Sequence, residues 1–293
     1  MSRLDRPVRL IVNPRAGGGR AARLLPGVEA ALRGLGLPFA VERTSSIEHA
    51  RELARAARDA GELVAAMGGD GLTGAVAGEL QGSEAPLAVF PGGRGNDFAR
   101  KLGIPADPVA AVELLAAGRD RRVDVAEVDG RAYLGILSAG LDSEVQDIAN
   151  ATRLPLGTLV YPYGVLRALV RWRPVRWEVE VDGAAHAFSG YSVAVANSGV
   201  FGGGMWLVPQ AQVDDGMLDV VLTAERPKHR YVAALPKVFS GAHVGDPGLT
   251  FLRGRRVTFR ADRPFTAYAD GDPIAELPAA VVVRPRALRV VAP

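Results

Sequence analysis

Apolar positions follow two different patterns along this chain. In the first hundred or so residues, short unbroken apolar runs alternate with stretches of helical period. Val8 to Val12, Pro38 to Val41, Leu63 to Met67 and Leu87 to Phe90 have the length and content of buried strands. The segment 19–35 puts Leu24, Val28, Leu32 and Leu35 on one helical face, interrupted by Pro26. The next helix carries Ile47, Ala50, Leu53, Ala54 and Ala57 on one side, and Ser45 with Glu48 reads as its capping box. Leu72 to Leu80 can be helical, and Asp107 to Ala117 starts at an Asp cap with Pro108 in the first position. Strands alternating with helices predict a parallel sheet covered on both faces.

The texture changes after about Asp120. Arg122 to Val128 and Tyr133 to Leu137 are β-rich and joined by Asp129-Gly130, and Trp177 to Val181 and Ala185 to Phe188 flank Asp182-Gly183. Asp-Gly between such runs is a hairpin signal, because both turn residues need positive φ. Tyr191 to Asn197, Met217 to Thr223, Arg256 to Arg260, Phe265 to Tyr268 and Ala280 to Val283 are further strands, with a helix predicted over Pro227 to Phe239. The pattern predicts an antiparallel sandwich. The expected organisation is residues 1–120 as an α/β domain and 121–285 as a β-sandwich domain.

Composition narrows the chemistry. A chain of 293 residues with 48% hydrophobic and 23% charged residues can bury a sizeable core. It has no cysteine, which excludes disulfides and thiol chemistry, and with four histidines a His-rich metal site is not expected. A net charge of +3 is too weak to argue nucleic-acid binding, so none is expected. No apolar run approaches a membrane span, and the first residues lack a signal-peptide core. The expected location is the cytoplasm.

The stretch that organises the rest is Met67-Gly68-Gly69-Asp70-Gly71, set between a strand and a helix. A glycine turn there leaves backbone N–H groups free at the helix start, where phosphate binds. Asp70 would repel a bare anion, and makes sense if a divalent cation sits between carboxylate and phosphate. Pro91-Gly92-Gly93-Arg94-Gly95-Asn96-Asp97 repeats the layout, and Asn13-Pro14-Arg15-Ala16-Gly17-Gly18-Gly19 is a weaker third instance. Each alone is also an ordinary strand–turn–helix connection, and an Asp at a helix start such as Asp97 is stabilised by the dipole without further purpose. Together they would converge on the carboxyl edge of one parallel sheet, where α/β folds bind ligands.

In order and spacing, Asn13-Pro14, Gly68-Gly69-Asp70-Gly71 and Gly95-Asn96-Asp97-Phe98-Ala99-Arg100 resemble the diacylglycerol kinase catalytic-domain family. This group of lipid kinases includes sphingosine and ceramide kinases and small bacterial members. The resemblance covers essentially the whole chain. It implies a three-layer α/β nucleotide-binding domain with a parallel sheet, followed by an antiparallel β-sandwich, with the tail (about 286–293, Leu288 to Val291 within it) returning to the first domain. It implies ATP and Mg²⁺, with Asn13, Thr44, Gly68, Gly69, Asp70, Gly71, Leu72, Thr73, Arg94, Gly95 and Asn96 around the nucleotide, and Asp70 and Asp97 organising metal and phosphate. The family's general base is a Glu directly after Asp-Gly, and Asp272 stands there, after Asp270-Gly271. Read from its residues alone, that stretch is a hairpin turn with a solvated neighbour. A second Mg²⁺ is implied on Asp215 and the backbone carbonyls of Gln212 and Met217. Asp124 and Asp142 match acidic positions that support the cleft, and Asn197 and Gly202-Gly203-Gly204 match positions lining the acceptor side.

Three departures stand out. Leu72 precedes Thr73 where the family commonly has Thr first, Arg94 replaces a Thr, and Asp272 is one methylene shorter than Glu. The expected activity is transfer of the γ-phosphoryl group of ATP to a hydroxyl of a diacylglycerol-like or related lipid. The alternatives are a kinase of a soluble hydroxyl substrate, or a nucleotide- or lipid-binding protein with little turnover. A lipid acceptor implies transient peripheral contact with the inner face of the membrane. Pro155 to Trp177 mixes apolar and aromatic residues with Arg167, Arg171, Arg173 and Arg176, which suits a membrane interface. A helix packed on the sandwich with a solvated Arg face explains it equally and is preferred. A homodimer stays open.

Overall fold

The computed structural model describes residues 6–152 and 160–293. Its first part runs β1 (Val8–Val12), α1 (Ala16–Gly34), β2 (Phe39–Arg43), α2 (Ile47–Asp59), β3 (Leu63–Gly68), α3 (Asp70–Leu80) and β4 (Leu87–Pro91), then the short helices α4 (Asp97–Lys101), α5 (Pro108–Val112) and α6 (Leu114–Ala117). The parallel strands lie in the order β2-β1-β3-β4. β3 and β4 are buried along their whole length, which is why they read as unbroken apolar runs. In α1, Gly17, Gly18 and Gly19 have φ of 61°, 67° and 87°, so the regular helix starts after them and continues through Pro26. The cap of α2 is Ser46 rather than Ser45: its hydroxyl accepts the His49 N–H at 3.1 Å. The helix begins one residue later than the spacing to Glu48 suggests.

The second part comprises β5 (Arg119–Val128), β6 (Arg131–Tyr133), β7 (Ile136–Gly140), α7 (Leu141–Ala151), α8 (Val160–Arg171), β8 (Val175–Val181) and β9 (Ala184–Ala196). It continues with β10 (Val200–Phe201), β11 (Met205–Trp206), β12 (Leu218–Ala224), α9 (Lys228–Val238), β13 (Leu249–Gly254), β14 (Arg256–Ala261), β15 (Thr266–Ala269), β16 (Asp272–Glu276) and β17 (Ala279–Ala292). β9 pairs antiparallel with β8 along its first half and with β7 and β12 along its second, so one strand serves both layers of the sandwich. The turns at Asp129-Gly130, Asp182-Gly183 and Asp270-Gly271 all have positive φ at both residues, as tight hairpins require. Inside, Trp177 stacks on Phe265 at 5.6 Å between ring centres.

β17 joins the two parts. Its first half pairs with β14 and β5, and its second half pairs with β5 and, through Val290 beside Leu87, in parallel with β4. Leu288, Val290 and Val291 lie in the hydrophobic core of the parallel sheet, whereas Val281 lies in that of the sandwich. The register breaks between Arg284 and Leu288. Asp124, fully buried, mends the break: its carboxylate accepts the N–H of Arg286 at 2.7 Å and of Gly216 at 2.7 Å. Those bonds offset the cost of burying the charge, which raises the Asp124 pKa.

Candidate active site

The three glycine loops meet at the carboxyl ends of β1, β3 and β4, backbone against backbone. Gly92 and Gly93 donate to the Gly68 carbonyl at 2.8 and 2.9 Å. A Cβ on Gly93 would lie 2.4 Å from the Gly69 Cα, and one on Gly17 would lie 2.6 Å from the Gly92 carbonyl oxygen. Neither partner can move aside, being main chain. Gly93→Ala is therefore expected to cost about 1–3 kcal/mol or more, and to weaken nucleotide binding, measured by urea titration and by ATP titration. An unchanged denaturation midpoint would refute the close approach.

The sequence-expected residues divide by what they already bond. The Asn13 side chain accepts the Arg15 N–H at 3.0 Å and shapes the first loop. Thr44 donates its hydroxyl to the Ser46 carbonyl at 2.5 Å, and Thr73 donates to the Gly69 carbonyl at 3.1 Å. Leu72 is buried and packs back on Gly68, so it presents nothing to the cradle. Asn96, at φ 52°, accepts from Gly93 N–H at 2.9 Å and donates to the Gly93 carbonyl at 3.0 Å, closing the third loop. Arg94 projects from that closed loop, exposed and without a partner among the described residues. The Gly71 Cα faces Asp272, whose carboxylate would be 2.5 Å from a Cβ there. Asp272 lies at the exposed rim of the cleft, with burial of its surroundings raising its pKa and Arg131 opposing the shift.

Deeper in, carboxylates converge. The bare Cα of Gly95 separates Asp70 from Asp97: a Cβ there would meet their oxygens at 3.0 and 3.1 Å. Asp70 accepts the Phe98 N–H at 3.1 Å at the start of α4. Burial, then the neighbouring Asp97 charge, pushes its pKa up to about 6. Asp97 reaches across to the sandwich and accepts the Gly203 N–H at 2.8 Å through Oδ2, while its buried Oδ1 accepts no hydrogen bond and has the Arg100 guanidinium 3.9 Å away. Burial raises the Asp97 pKa as well. From the sandwich side comes Asp270, at φ 53° in the hairpin between β15 and β16. Its carboxylate accepts the Leu134 N–H at 3.1 Å and faces Gly74. Burial, then the charges of Asp70 and, more weakly, Asp97, pushes it up to about 7. Sequence reasoning assigned Asp270 only to a turn. The turn is real, and its side chain nonetheless points into the cleft. The Asp-Gly signal alone carries no hint of that.

The other expected residues support the site from a distance. Asn197, fully buried, donates to the carbonyls of Asp124 and Leu134, each at 3.1 Å. Gly202, Gly203 and Gly204 all have positive φ, which lets the β10–β11 hairpin turn its N–H groups toward Asp97. Asp142 accepts from Ser192 and Tyr231 inside the sandwich, and burial pushes it up to about 6.

The carboxylate donor of the second expected metal set is already engaged. Asp215 accepts the Met217 N–H at 3.0 Å and forms an ion pair with Arg253, so the one carboxylate in the Gln212, Asp215 and Met217 set already holds a cation. Among the described residues, no group of three or more His, Cys, Asp and Glu forms a metal cage. As it stands, this set does not fit a resident Mg²⁺.

A cavity of about 610 Å³ opens between α7 and α8, lined by Ile148, Ala151, Tyr163, Arg167, Ala168 and Arg171 among others. Asp147 in its wall accepts from the Tyr268 hydroxyl, two residues before Asp270. On α8 and directly after it, Ala168, Leu169 and Trp172 are buried, as the packed-helix reading expects, while Leu166 and Val170 are 57% and 78% exposed; Pro155, Leu156 and Leu159 of the same stretch lie outside the described residues. No helix among the described residues is long and apolar enough to cross a membrane.

Comparisons with known proteins agree with this layout. Residues 7–128 match the diacylglycerol kinase catalytic domain, and residues 135–292 match the YegS C-terminal NAD kinase beta sandwich-like domain. A diacylglycerol kinase of Mycobacterium tuberculosis is 31% identical, over 98% of this chain and 95% of its own. One of Bacillus subtilis is 28% identical, over 97% and 96%. A protein of Pseudomonas aeruginosa described as "Probable lipid kinase YegS-like" is 31% identical, over 97% and 93%. A crystal structure of a diacylglycerol kinase from Bacillus anthracis superposes with a TM-score of 0.77 at 20% identity, covering 98% of this chain and 97% of that one, and shares the fold.

Proposed function

The chain belongs to the bacterial diacylglycerol kinase and YegS-like lipid kinase family, and on that premise we propose that it transfers the γ-phosphoryl group of ATP to a hydroxyl of a diacylglycerol-like lipid. The observation that carries this reading is the meeting of Asp70, Asp97 and Asp270 where three glycine loops face the sandwich. Phosphoryl transfer needs positioning and charge stabilisation more than covalent chemistry. The glycine loops supply N–H donors for the phosphates, and the free guanidinium of Arg94 adds a cation beside them. The buried Oδ1 of Asp97, which accepts no hydrogen bond, with Asp70 close by, fits the Mg²⁺ that ATP brings. That ion would neutralise charge on the phosphates. Asp270 takes the proton as the acceptor oxygen bonds to the γ-phosphorus and the bond to ADP breaks. A carboxyl near 7 can do this at neutral pH. Asp272, overhanging Gly71 at the rim, sits where the acceptor enters.

A lipid acceptor is favoured by the cavity between α7 and α8, whose wall residue Asp147 accepts from Tyr268 of β15. Contact with the membrane would fall on α8, where exposed Leu166 and Val170 stand between Arg167, Arg171 and Arg173. The protein would then work in the cytoplasm and visit the inner membrane face.

The test is transfer from labelled ATP–Mg²⁺ to a panel of lipids in mixed micelles, beside soluble polyols. Labelled lipid is the expected product. Sedimentation with anionic vesicles should drop about 10-fold or more in Leu166→Glu/Val170→Glu. Labelled polyol without labelled lipid would make the enzyme a kinase of soluble substrates. ATP binding with no transfer to any acceptor would leave a non-catalytic binding protein.

A further inference from the structure

The turn around Asp215 is crowded with acid, and every carboxylate in it is already matched. Asp214 pairs with Arg121 at 3.0 Å. β13 sets Arg253 directly opposite Asp219 of β12, and its guanidinium reaches Asp219 at 3.3 Å through Nε while Nη2 holds Asp215. Asp124 accepts two backbone N–H groups. The Lys101 ammonium donates to the Ala211 carbonyl at 2.6 Å, next to Gln212. A guanidinium presents several donors in a planar fork and stays charged at any relevant pH, so it can bridge two carboxylates as a small cation would. A divalent ion on Asp215 would have to share the carboxylate with the guanidinium, two cations side by side, or displace it.

We propose that Arg253 is the resident cation of this turn, taking the place of a divalent metal and making the β12–β13 edge independent of Mg²⁺. The turn is then held by a side chain on a neighbouring strand, and its integrity follows from the fold rather than from metal supply. The inference concerns the nucleotide-free protein and does not depend on the kinase reading.

The experiment uses Mn²⁺ as a paramagnetic probe on the full chain without nucleotide, with thermal melts in EDTA and in MgCl₂. Wild type and Asp215→Asn are expected to bind the same number of Mn²⁺ ions, whatever the Asp70–Asp97 cleft contributes to both. The shift in melting temperature between EDTA and MgCl₂ should be the same in wild type and Asp215→Asn, to within about 1 °C. Arg253→Met should melt at least about 2 °C lower in EDTA and gain a Mn²⁺ site that wild type lacks. A Mn²⁺ ion bound by wild type and lost in Asp215→Asn would overturn the proposal, and that comparison holds even where Arg253→Met fails to fold. An Arg253→Met protein as stable as wild type and with no added Mn²⁺ site would overturn it equally.

Discussion

Asp270→Asn is expected to lower kcat by about 10²–10⁴-fold and, at the same time, to make the folded protein more stable at pH 8. The first effect is loss of the proton acceptor. Asn keeps the shape, can still accept the Leu134 N–H, and tolerates the positive φ of 53°. The second effect follows from linkage. The Asp270 carboxyl lies near 3.8 ordinarily and is pushed up to about 7 in the fold by burial and by the charges of Asp70 and Asp97. The folded state therefore holds this proton more tightly than the unfolded chain. The stabilisation is complete below about pH 4 and is lost as pH rises through 7. Above that, wild type carries a buried charge that the variant does not, worth on the order of 1–3 kcal/mol after relaxation of the surroundings. Melts of both proteins at pH 5 and pH 8 check this: the variant's advantage must grow with pH. An equal gap at both values would discard the charge explanation. Unaltered turnover in Asp270→Asn, with collapse in Asp272→Asn, would assign the proton to the rim carboxylate.

Asp97→Ala is expected to reduce kcat/KM for ATP–Mg²⁺ by about 10²–10³-fold or more and to loosen the junction between the two parts of the chain. Two atoms of one side chain account for the two losses. Oδ1 is buried and accepts no hydrogen bond; the Arg100 guanidinium stands 3.9 Å away, beyond hydrogen-bond reach, which leaves the oxygen open to a cation. Oδ2 holds the Gly203 N–H of the β10–β11 hairpin at 2.8 Å. Asp97→Asn separates these roles, since an amide oxygen can keep the Gly203 bond while the charge is gone. Its melting temperature should stay close to wild type while its KM for ATP–Mg²⁺ rises with the loss of activity. Full activity in Asp97→Asn would exclude the cation role.

Where the sequence was informative, a single local rule sufficed. Leu63 to Met67 and Leu87 to Phe90 could only be buried strands, and a glycine turn after each could only lie at the carboxyl edge of a parallel sheet. Asp129-Gly130 and Asp182-Gly183 announced hairpins for the same local reason. The cleft chemistry was harder to see because it is assembled over long range. Asp270 meets Asp70 only because β15 pairs with β7, setting Tyr268 beside Ser138 and bringing the turn over α3. Arg253 reaches Asp215 only because β13 pairs with β12. No spacing within the chain encodes either encounter. Thr73 shows the converse: it stands near the motif in sequence, yet its hydroxyl bonds its own helix.

The last strand also sets an order of events. Val290 of β17 lies in parallel beside Leu87 of β4, and Leu288 and Val291 help fill the core beneath that sheet. During synthesis the α/β half emerges first, but β4 keeps an open edge until β17 has been made. The nascent α/β half thus cannot close its own sheet. A fragment that stops before β17 leaves β4 with an unpaired apolar edge, a template for association with other chains.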